Sequence, residues 1–480
     1  MKIKLSILLA LISVMLMGQN TLQINGLNEA ELVYRTVPDS LKTYFSNRFG
    51  FNLGYGDFRF GMSFNARLPE YSNQASELLD ELDPNRLSVA WEELYAEYSY
   101  EAFSIHVGST EESFGRGITF RSYEDLEFDE DHRINSFLLK YDDTLQFKTF
   151  YGAIASQNYS TQYDLAYGAD LQYPVGQGLR LGASALGYRN IGAASHYSFR
   201  DVFSGRMMLS KGNFDVFSEY ALSKKYHLPG TSAQDGSAIF ADANYMIGNL
   251  ILGGAYKRYE DFSYRLQDLP LANYHLETIS DALASGIDEE GWQARAAYAI
   301  SSNIYLSADY AEAWDSSKDK RMNDLYLEAE IRYDSKQYLV SWSHIEKIDD
   351  ATRHWQKEYY PTIDAQVVLA GQLVSLTGEF KRVEKQDRQI ESNHYEPMLQ
   401  ASFSIDKLSL SLGVSSWWED FSTLVESRYR PNIEIKYPLF SHTDLTLFGG
   451  KEAGGKVCRN GICRYVAPFE GLRAELSTRF

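Results

Sequence analysis

The chain has 480 residues, a formal net charge of −19, 35 Tyr, 26 Phe and 7 Trp, but only 11 Pro and 2 Cys. So acidic a balance argues against a nucleic-acid partner, which would call for clustered Lys and Arg. No Ser/Pro-rich linker divides the chain, so its length reads as one large cooperative unit rather than several soluble domains.

Residues 1–18 read as a secretory signal. Lys2 and Lys4 form a positive n-region, Leu5 to Met17 an apolar h-region, and Gly18 the small residue before the cut. That apolar core is too short for a membrane-spanning helix, which needs ~20 residues, and no later run reaches the length. No Cys follows the h-region to take a lipid anchor. Residues 19–480 are then the exported chain, with no room before the first strand for an N-terminal plug domain or a TonB-binding segment.

From about Thr21 onward the period is 2 nearly everywhere. In NDLYLEAEIRY, Leu325, Leu327, Ala329, Ile331 and Tyr333 alternate with Tyr326, Glu328, Glu330 and Arg332. DKLSLSLGVS sets Leu408, Leu410, Leu412 and Val414 against serines and a glycine, and Leu472 to Phe480 repeats the pattern. Successive strand side chains point to opposite faces, so each segment has one apolar and one polar face.

About 24 such segments (22–26) follow one another, and their connections alternate in length. Tight turns fall near Gly56, Glu101, Asp142, Gly178, Gly212, Gly248, Ser301, Asp334, Gly371, Asp406 and Phe440. Between them lie longer polar stretches at 68–86, 111–131, 223–236, 262–289, 314–321, 347–355, 384–393, 418–427 and 450–465. A soluble sandwich has no reason to alternate in this way, and a propeller or solenoid would show a recurring unit. The pattern predicts an all-β fold: one antiparallel transmembrane β-barrel of the outer membrane, with short periplasmic turns and long outer loops. Only a closed sheet satisfies every strand backbone group in lipid. Tyr98, Tyr100, Trp342, Trp417 and Trp418 at segment ends suit aromatic girdles. The final ELSTRF resembles the C-terminal strand signal read by the barrel-assembly machinery.

A barrel this wide is expected to be filled, since roughly 22-stranded barrels carry a plug. Loops 68–86, 111–131, 223–236 and 262–289 are the candidates to fold inward, with a short helix expected around Leu276, Ile279 and Leu283. The third outer loop holds the densest chemistry, EESFGRGITFRSYEDLEFDEDHR. A phosphate cradle needs a Gly-rich turn that opens a helix, and no helical period or Lys-Ser/Thr follows here. Gly115 and Gly117 read instead as a bend or bulge that turns the chain inward. The acids are Glu111, Glu112, Glu124, Asp125, Glu127, Asp129, Glu130 and Asp131, interleaved with Arg116, Arg121 and Arg133. Three readings stay open for them: an internal ion-pair network or solvated loop, a cation-selective constriction, and a calcium site without EF-hand spacing.

In CRNGIC, Asn460-Gly461 occupies a two-residue hairpin turn, which makes Cys458 and Cys463 a closely approaching non-hydrogen-bonded pair. In an exported chain a disulfide is expected there rather than a metal site. His106, His132, His275 and His344 lie in no catalytic motif, and neither G-x-S-x-G nor H-E-x-x-H occurs. No enzymatic activity and no cofactor are expected.

Two passages resemble a family of uncharacterised outer-membrane barrels from the Bacteroidota. ESFGRGITFRSYEDLEFDEDHRINSFLLKY is similar to that family's FG-G-x-x-x-R-S/T-Y-E loop, and GGKVCRNGICRYVAP to its closing C-x4-C hairpin. The resemblance implies fold and location, and no activity comes with it. Function is therefore expected to be that of a porin-like or transport channel whose acidic lumen is constricted by inward loops. A structural or secretion-associated barrel anchoring a periplasmic or surface protein is the alternative. Outer-membrane lipids would surround either.

Overall fold

The structure is a computed structural model that describes residues 21–36, 43–69, 87–125, 130–156, 162–191, 197–226, 235–272, 285–369, 371–419, 428–453, 455–459, 462–466 and 468–480. The expected signal at 1–18 and the helix around Leu276–Leu283 lie outside these residues, as do most of loops 68–86 and 223–236.

Strand β1 (Gln23–Arg35) is followed by β2 (Thr43–Tyr55), β3 (Phe58–Leu68), β4 (Ser88–Tyr100) and β5 (Phe103–Thr110). Four short pieces come next: β6 (Glu112–Phe114), β7 (Phe120–Ser122), β8 (Glu124–Asp125) and β9 (Glu130–Asp131). Then follow β10 (Ile134–Asp142), β11 (Gln146–Ala155), β12 (Tyr163–Gly176), β13 (Leu179–Ile191), β14 (Tyr197–Lys211), β15 (Phe214–Tyr226), β16 (Gly236–Ile247) and β17 (Leu250–Glu260). After them come β18 (Asp288–Ser301), β19 (Ile304–Trp314), β20 (Lys320–Tyr333), β21 (Lys336–Asp349), β22 (His354–Leu369), β23 (Gln372–Asp387) and β24 (Ile390–Ile405). The chain closes with β25 (Leu408–Trp417), β26 (Arg428–Phe440), β27 (Thr443–Glu452), the small hairpin β28 (Gly455–Arg459) and β29 (Ile462–Val466), and β30 (Phe469–Arg479).

All but the short pieces and the last small hairpin form one 24-stranded antiparallel sheet. It closes where β30 pairs with β1, from Leu27 opposite Arg479 to Arg35 opposite Gly471. The strand number and the closed antiparallel barrel agree with the sequence pattern. Closure removes both sheet edges, so no row of backbone donors faces lipid.

Every second connection is a turn of two or three residues, each at an anticipated position. Glu101, Asp334 and Asp406 turn the chain at positive φ, a conformation two-residue hairpins demand. At the opposite end the expected loop 384–393 shrinks to 388–389, because β23 and β24 stay paired up to Asp387 opposite Ile390. Likewise 314–321 and 347–355 reduce to 315–319 and 350–353. Polar residues crowd both faces of these strand ends, so they look like loop in sequence although the pairing continues.

The outward face is the apolar one. Along β20, Leu327 and Ile331 are exposed while their neighbours Asp324 and Tyr326 are covered on the inner side. Tyr98, Tyr100, Tyr173, Tyr245, Tyr298 and Tyr333 stand exposed near the short turns and form an aromatic ring around that end. At the seam Phe480 stacks on Phe49, ring centroids 5.8 Å apart. Among the described residues no helix is long and apolar enough to cross a membrane.

Candidate functional site

Wall strands β5 and β10 have only eight and nine residues, against thirteen in β4. The chain leaves the wall after Thr110 and rejoins it at Ile134. In between, β6 and β7 form a hairpin whose tip, Gly115 to Thr119, lies on the inner face of the barrel, while β8 pairs with β9. Gly115 and Gly117 both have positive φ, 57° and 90°. A Cβ at Gly115 would meet Glu219 Oε2 at 2.5 Å, so a side chain there would have to displace the Glu219 carboxylate besides adopting a positive φ.

The apolar side chains of this hairpin are the centre of a core built inside the barrel. Phe114, Ile118 and Phe120 are wholly buried against inward residues of β10 to β17, among them Phe150, Leu186, Val202 and Phe240. The Phe120 ring stacks on Phe150 at 4.3 Å and packs beside Phe114. Burying three such side chains stabilises the seat by roughly 1.5–3 kcal/mol each.

A second segment, 261–272, completes the core with Phe262, Leu266 and Ala272. The two segments are hydrogen-bonded to each other. Arg121 N donates to Leu266 O at 3.0 Å, and Asp268 N donates to Gly117 O at 3.0 Å. Tyr264 OH lies within hydrogen-bonding distance of Ile118 O and Thr119 O, at 3.0 and 2.7 Å. Burial pushes the Tyr264 phenol up, so it remains a donor. At the base of this segment Lys257 Nζ meets Glu289 Oε2 at 2.8 Å with neither side chain exposed, and Gly286 N donates to Glu289 Oε1 at 2.9 Å.

Polar contacts pin the hairpin to the wall. Thr119 Oγ1 donates to Ser204 Oγ at 2.8 Å, and Ser204 donates to Glu219 at 2.8 Å. The Arg116 guanidinium lies over Phe217 at 4.4 Å and 3.5 Å from Asp242, which Arg295 also holds at 2.7 Å. Beneath the tip, Arg206 grips Asp170 with both terminal nitrogens at 2.6 and 2.7 Å. Arg116, Lys148, Arg206 and Asp242 border a cavity of about 840 Å³ that reaches Gly176 and Gly178 at the short turns.

The charges of the hairpin pair differently from the sequence reading. Arg116 and Arg121, expected to satisfy the loop's own acids, bond instead to Asp242 of the wall and Asp268 of the second segment. Sequence proximity favoured local pairs, whereas the inward fold brings both side chains to acids far away in the chain. Glu112 is held by Lys140 and Lys148 of the wall. Burial would raise its carboxyl, but Lys148 and Lys140 outweigh that and hold it below the usual range.

Among the described residues, Arg133 is the one arginine of the loop that bonds the loop's own acids. Its side chain contacts both Asp131 oxygens, Glu124 at 3.0 Å and Glu92 O at 3.1 Å. Glu124 also bonds Arg48 of β2 at 2.6 Å, and Arg48 bonds Glu92 at 2.7 Å. A bulge beside Phe64 turns Glu92 and Glu93 of β4 to the same side. Glu111 is exposed at the start of the loop. The side chain of Asp125 and the whole of Asp129 lie outside the described residues, as do the cysteine side chains, although the backbone sets Cys458 directly opposite Cys463. Among the described residues no group of His, Cys, Asp and Glu is arranged to hold a metal ion. Sequence reasoning missed Arg48, Asp170, Arg206, Glu219, Lys257 and Glu289; their one signal was a charge at an inward position of an alternating strand.

Fold and site define a class: a closed transmembrane β-barrel whose lumen is partly filled by its own inward-folded segments. The chain belongs to DUF6029, a family of unknown function, whose model matches residues 5–286. No curated protein matches it. Among solved structures it is similar to an E. coli P pilus tip assembly intermediate, PapC-PapD-PapK-PapG (TM-score 0.58, 10% identity), covering 95% of this chain and 60% of that one. The P pilus usher PapC translocation pore (TM-score 0.49, 9% identity) is covered to 99%, with 95% of this chain. Pseudomonas aeruginosa OccK3 (TM-score 0.40, 14% identity) is covered to 96%, with 82% of this chain. At such identities the likeness concerns the fold.

Proposed function

We propose that this protein is an outer-membrane channel, exported from residue 19 onward, that passes small polar solutes through a lumen narrowed by the 111–133 hairpin and segment 261–272. Glu111, Glu112, Gly115, Arg116, Gly117, Arg121, Glu124 and Asp131 belong to that constriction, and no catalysis is assigned to it. The observation that carries this reading is the apolar core inside one sector of the barrel, which narrows the lumen from within. Purified protein in planar bilayers should give steady single-channel conductance. The reading is overturned if neither conductance nor solute flux appears, even after deletion of residues 112–131.

A second reading rests on how firmly the hairpin is seated: a permanently filled barrel that anchors a periplasmic or surface protein. The assembly containing the PapC usher likewise joins a barrel to further proteins. Isolation from native outer membranes separates the two, since a partner at near-equal amount supports anchoring and a lone barrel supports the channel.

A further inference from the structure

The hairpin and its partner segment cover the wall from β10 to β17; the sector from β19 to β24 is lined differently. Inward residues opposite one another in adjacent strands are level in the direction across the strands, so the register sorts them into rows, each of which climbs with the strand tilt. Asp324 is level with Glu358 through Ile345. One row nearer the short turns, Asp309, Tyr326, Ser343 and Tyr360 are level, and Lys381 and Glu396 continue that row. In the third row Glu328 is level with Glu379 through Ser341 and Thr362, and in the fourth Glu330 with Asp364 through Leu339. Each of the four rows thus carries two carboxylates. Rows two residues apart are separated by about 6.7 Å along the strands, so the ladder runs about 20 Å along them, which at a tilt of about 40° is roughly 15 Å of an apolar belt about 25 Å tall.

Half of the eight acids keep their charge uncancelled; Glu358, Glu330, Asp309 and Glu396 face Lys381, Arg332, Arg295 and His394 in turn. Within the four rows Lys381 is the one Lys or Arg on these strands, bonded to Glu358 at 2.7 Å. Lys347 and Lys385 sit one row above the ladder, and Arg332, paired with Glu330, one row below. The other acids are oriented by neutral donors or a histidine: Gln293 to Asp309, Tyr326 to Glu328, Thr377 to Asp364, Tyr360 to Glu379 and His394 to Glu396. Such bonds fix a carboxylate without neutralising it. Asp324 goes further. It is 2% exposed, neither of its oxygens nor the Ser343 hydroxyl beside it has a partner of hydrogen-bonding geometry, and its charged neighbours are Asp309 and Glu358. A covered carboxylate facing two more acids is unfavourable until a proton or another cation joins it.

We propose that the β19–β24 wall is a cation ladder, and that the solute moving along it is an inorganic cation or a small organic ammonium handed between successive carboxylate rungs. This deepens the channel reading and rests on it, moving the selectivity determinants from the 111–131 loop to the facing wall.

The test is the reversal potential of single channels in a KCl gradient. Wild type should favour K⁺ over Cl⁻. The double variant Glu379→Gln/Asp364→Asn, which breaks no ion pair, should cut that preference by roughly threefold or more. Glu379→Asp should retain it. A conducting channel without cation preference, or with preference unmoved by the double variant, overturns the ladder and leaves the channel reading intact. Absence of any conductance overturns the channel reading instead. The ladder is then decided in detergent by Tb³⁺ luminescence sensitised by Tyr326 and Tyr360. Emission lost in the double variant supports it, and emission absent or unchanged overturns it.

Discussion

Phe120→Ala isolates the inward core from the barrel that carries it. The ring is wholly buried, stacked on Phe150 at 4.3 Å and packed against Phe114 at 5.0 Å, so truncation removes its burial and leaves a cavity. Buried Phe→Ala changes cost roughly 3–5 kcal/mol. Because β7 belongs to the hairpin and not to the wall, nearly all of that loss should fall on the equilibrium between seated and unseated hairpin. At about 1.4 kcal/mol per decade, opening becomes roughly 10²- to 10³-fold more frequent or somewhat beyond. Hydrogen exchange read by mass spectrometry reports it directly: peptides covering 111–124 should exchange faster by that factor, while peptides from β20 to β23 keep their rate. Single-channel records of the same variant should show additional large openings. A change of less than tenfold in the hairpin peptides, or equal acceleration in the wall strands, would refute a separately seated hairpin.

Other outcomes follow from the charges. Glu112, held below its usual range by Lys148 and Lys140, stabilises the seated hairpin above the ordinary Glu value of about 4.3; that contribution fades as pH falls through the lowered folded value. Exchange of the hairpin peptides should therefore rise on acidification below pH ~4, and Glu112→Gln should remove that step. Arg133→Gln strips Asp131 and half the partners of Glu124 and should destabilise the hairpin by roughly 3–5 kcal/mol, read as faster exchange around 122–134. Cys458 and Cys463, opposed in the last small hairpin, should form a disulfide, so alkylation should add two groups only after reduction; labelling of the unreduced protein would refute it. Asp170→Asn, leaving Arg206 with its charge uncompensated beneath the tip, should lower the midpoint of heat unfolding by several degrees in a gel-shift series.

Several of the missed contacts share one geometry. Arg206 and Asp170 are 36 positions apart, yet β12, β13 and β14 bring them together because inward residues two strands apart are neighbours across the strand between. Arg48 and Glu124 are 76 apart and meet only because the hairpin reaches back toward β2. Local pairing of Arg116 and Arg121 with nearby acids was the natural reading of a charge-dense loop. It fails because Phe114, Ile118 and Phe120 pull the hairpin inward, where Asp242 and Asp268 lie nearer. The apolar triplet was itself visible in ESFGRGITFRS at strand-like spacing, but Gly115 and Gly117 at positive φ break the strand between its members.

What the sequence determined by itself was everything carried by local periodicity: the alternation that makes each strand two-faced, the turn residues, the strand number and the closed barrel. These are set within a few residues, and a one-residue slip would move every apolar side chain to the wrong face. What only the tertiary structure decided was where the inward faces differ. Residues that line β10 to β17 and those that line β19 to β24 obey the same period, and only closure of the sheet shows the first sector meeting an apolar hairpin and the second stacking carboxylates in rows. Depth and level depend on register between strands that can lie far apart in the chain, and no local pattern encodes them.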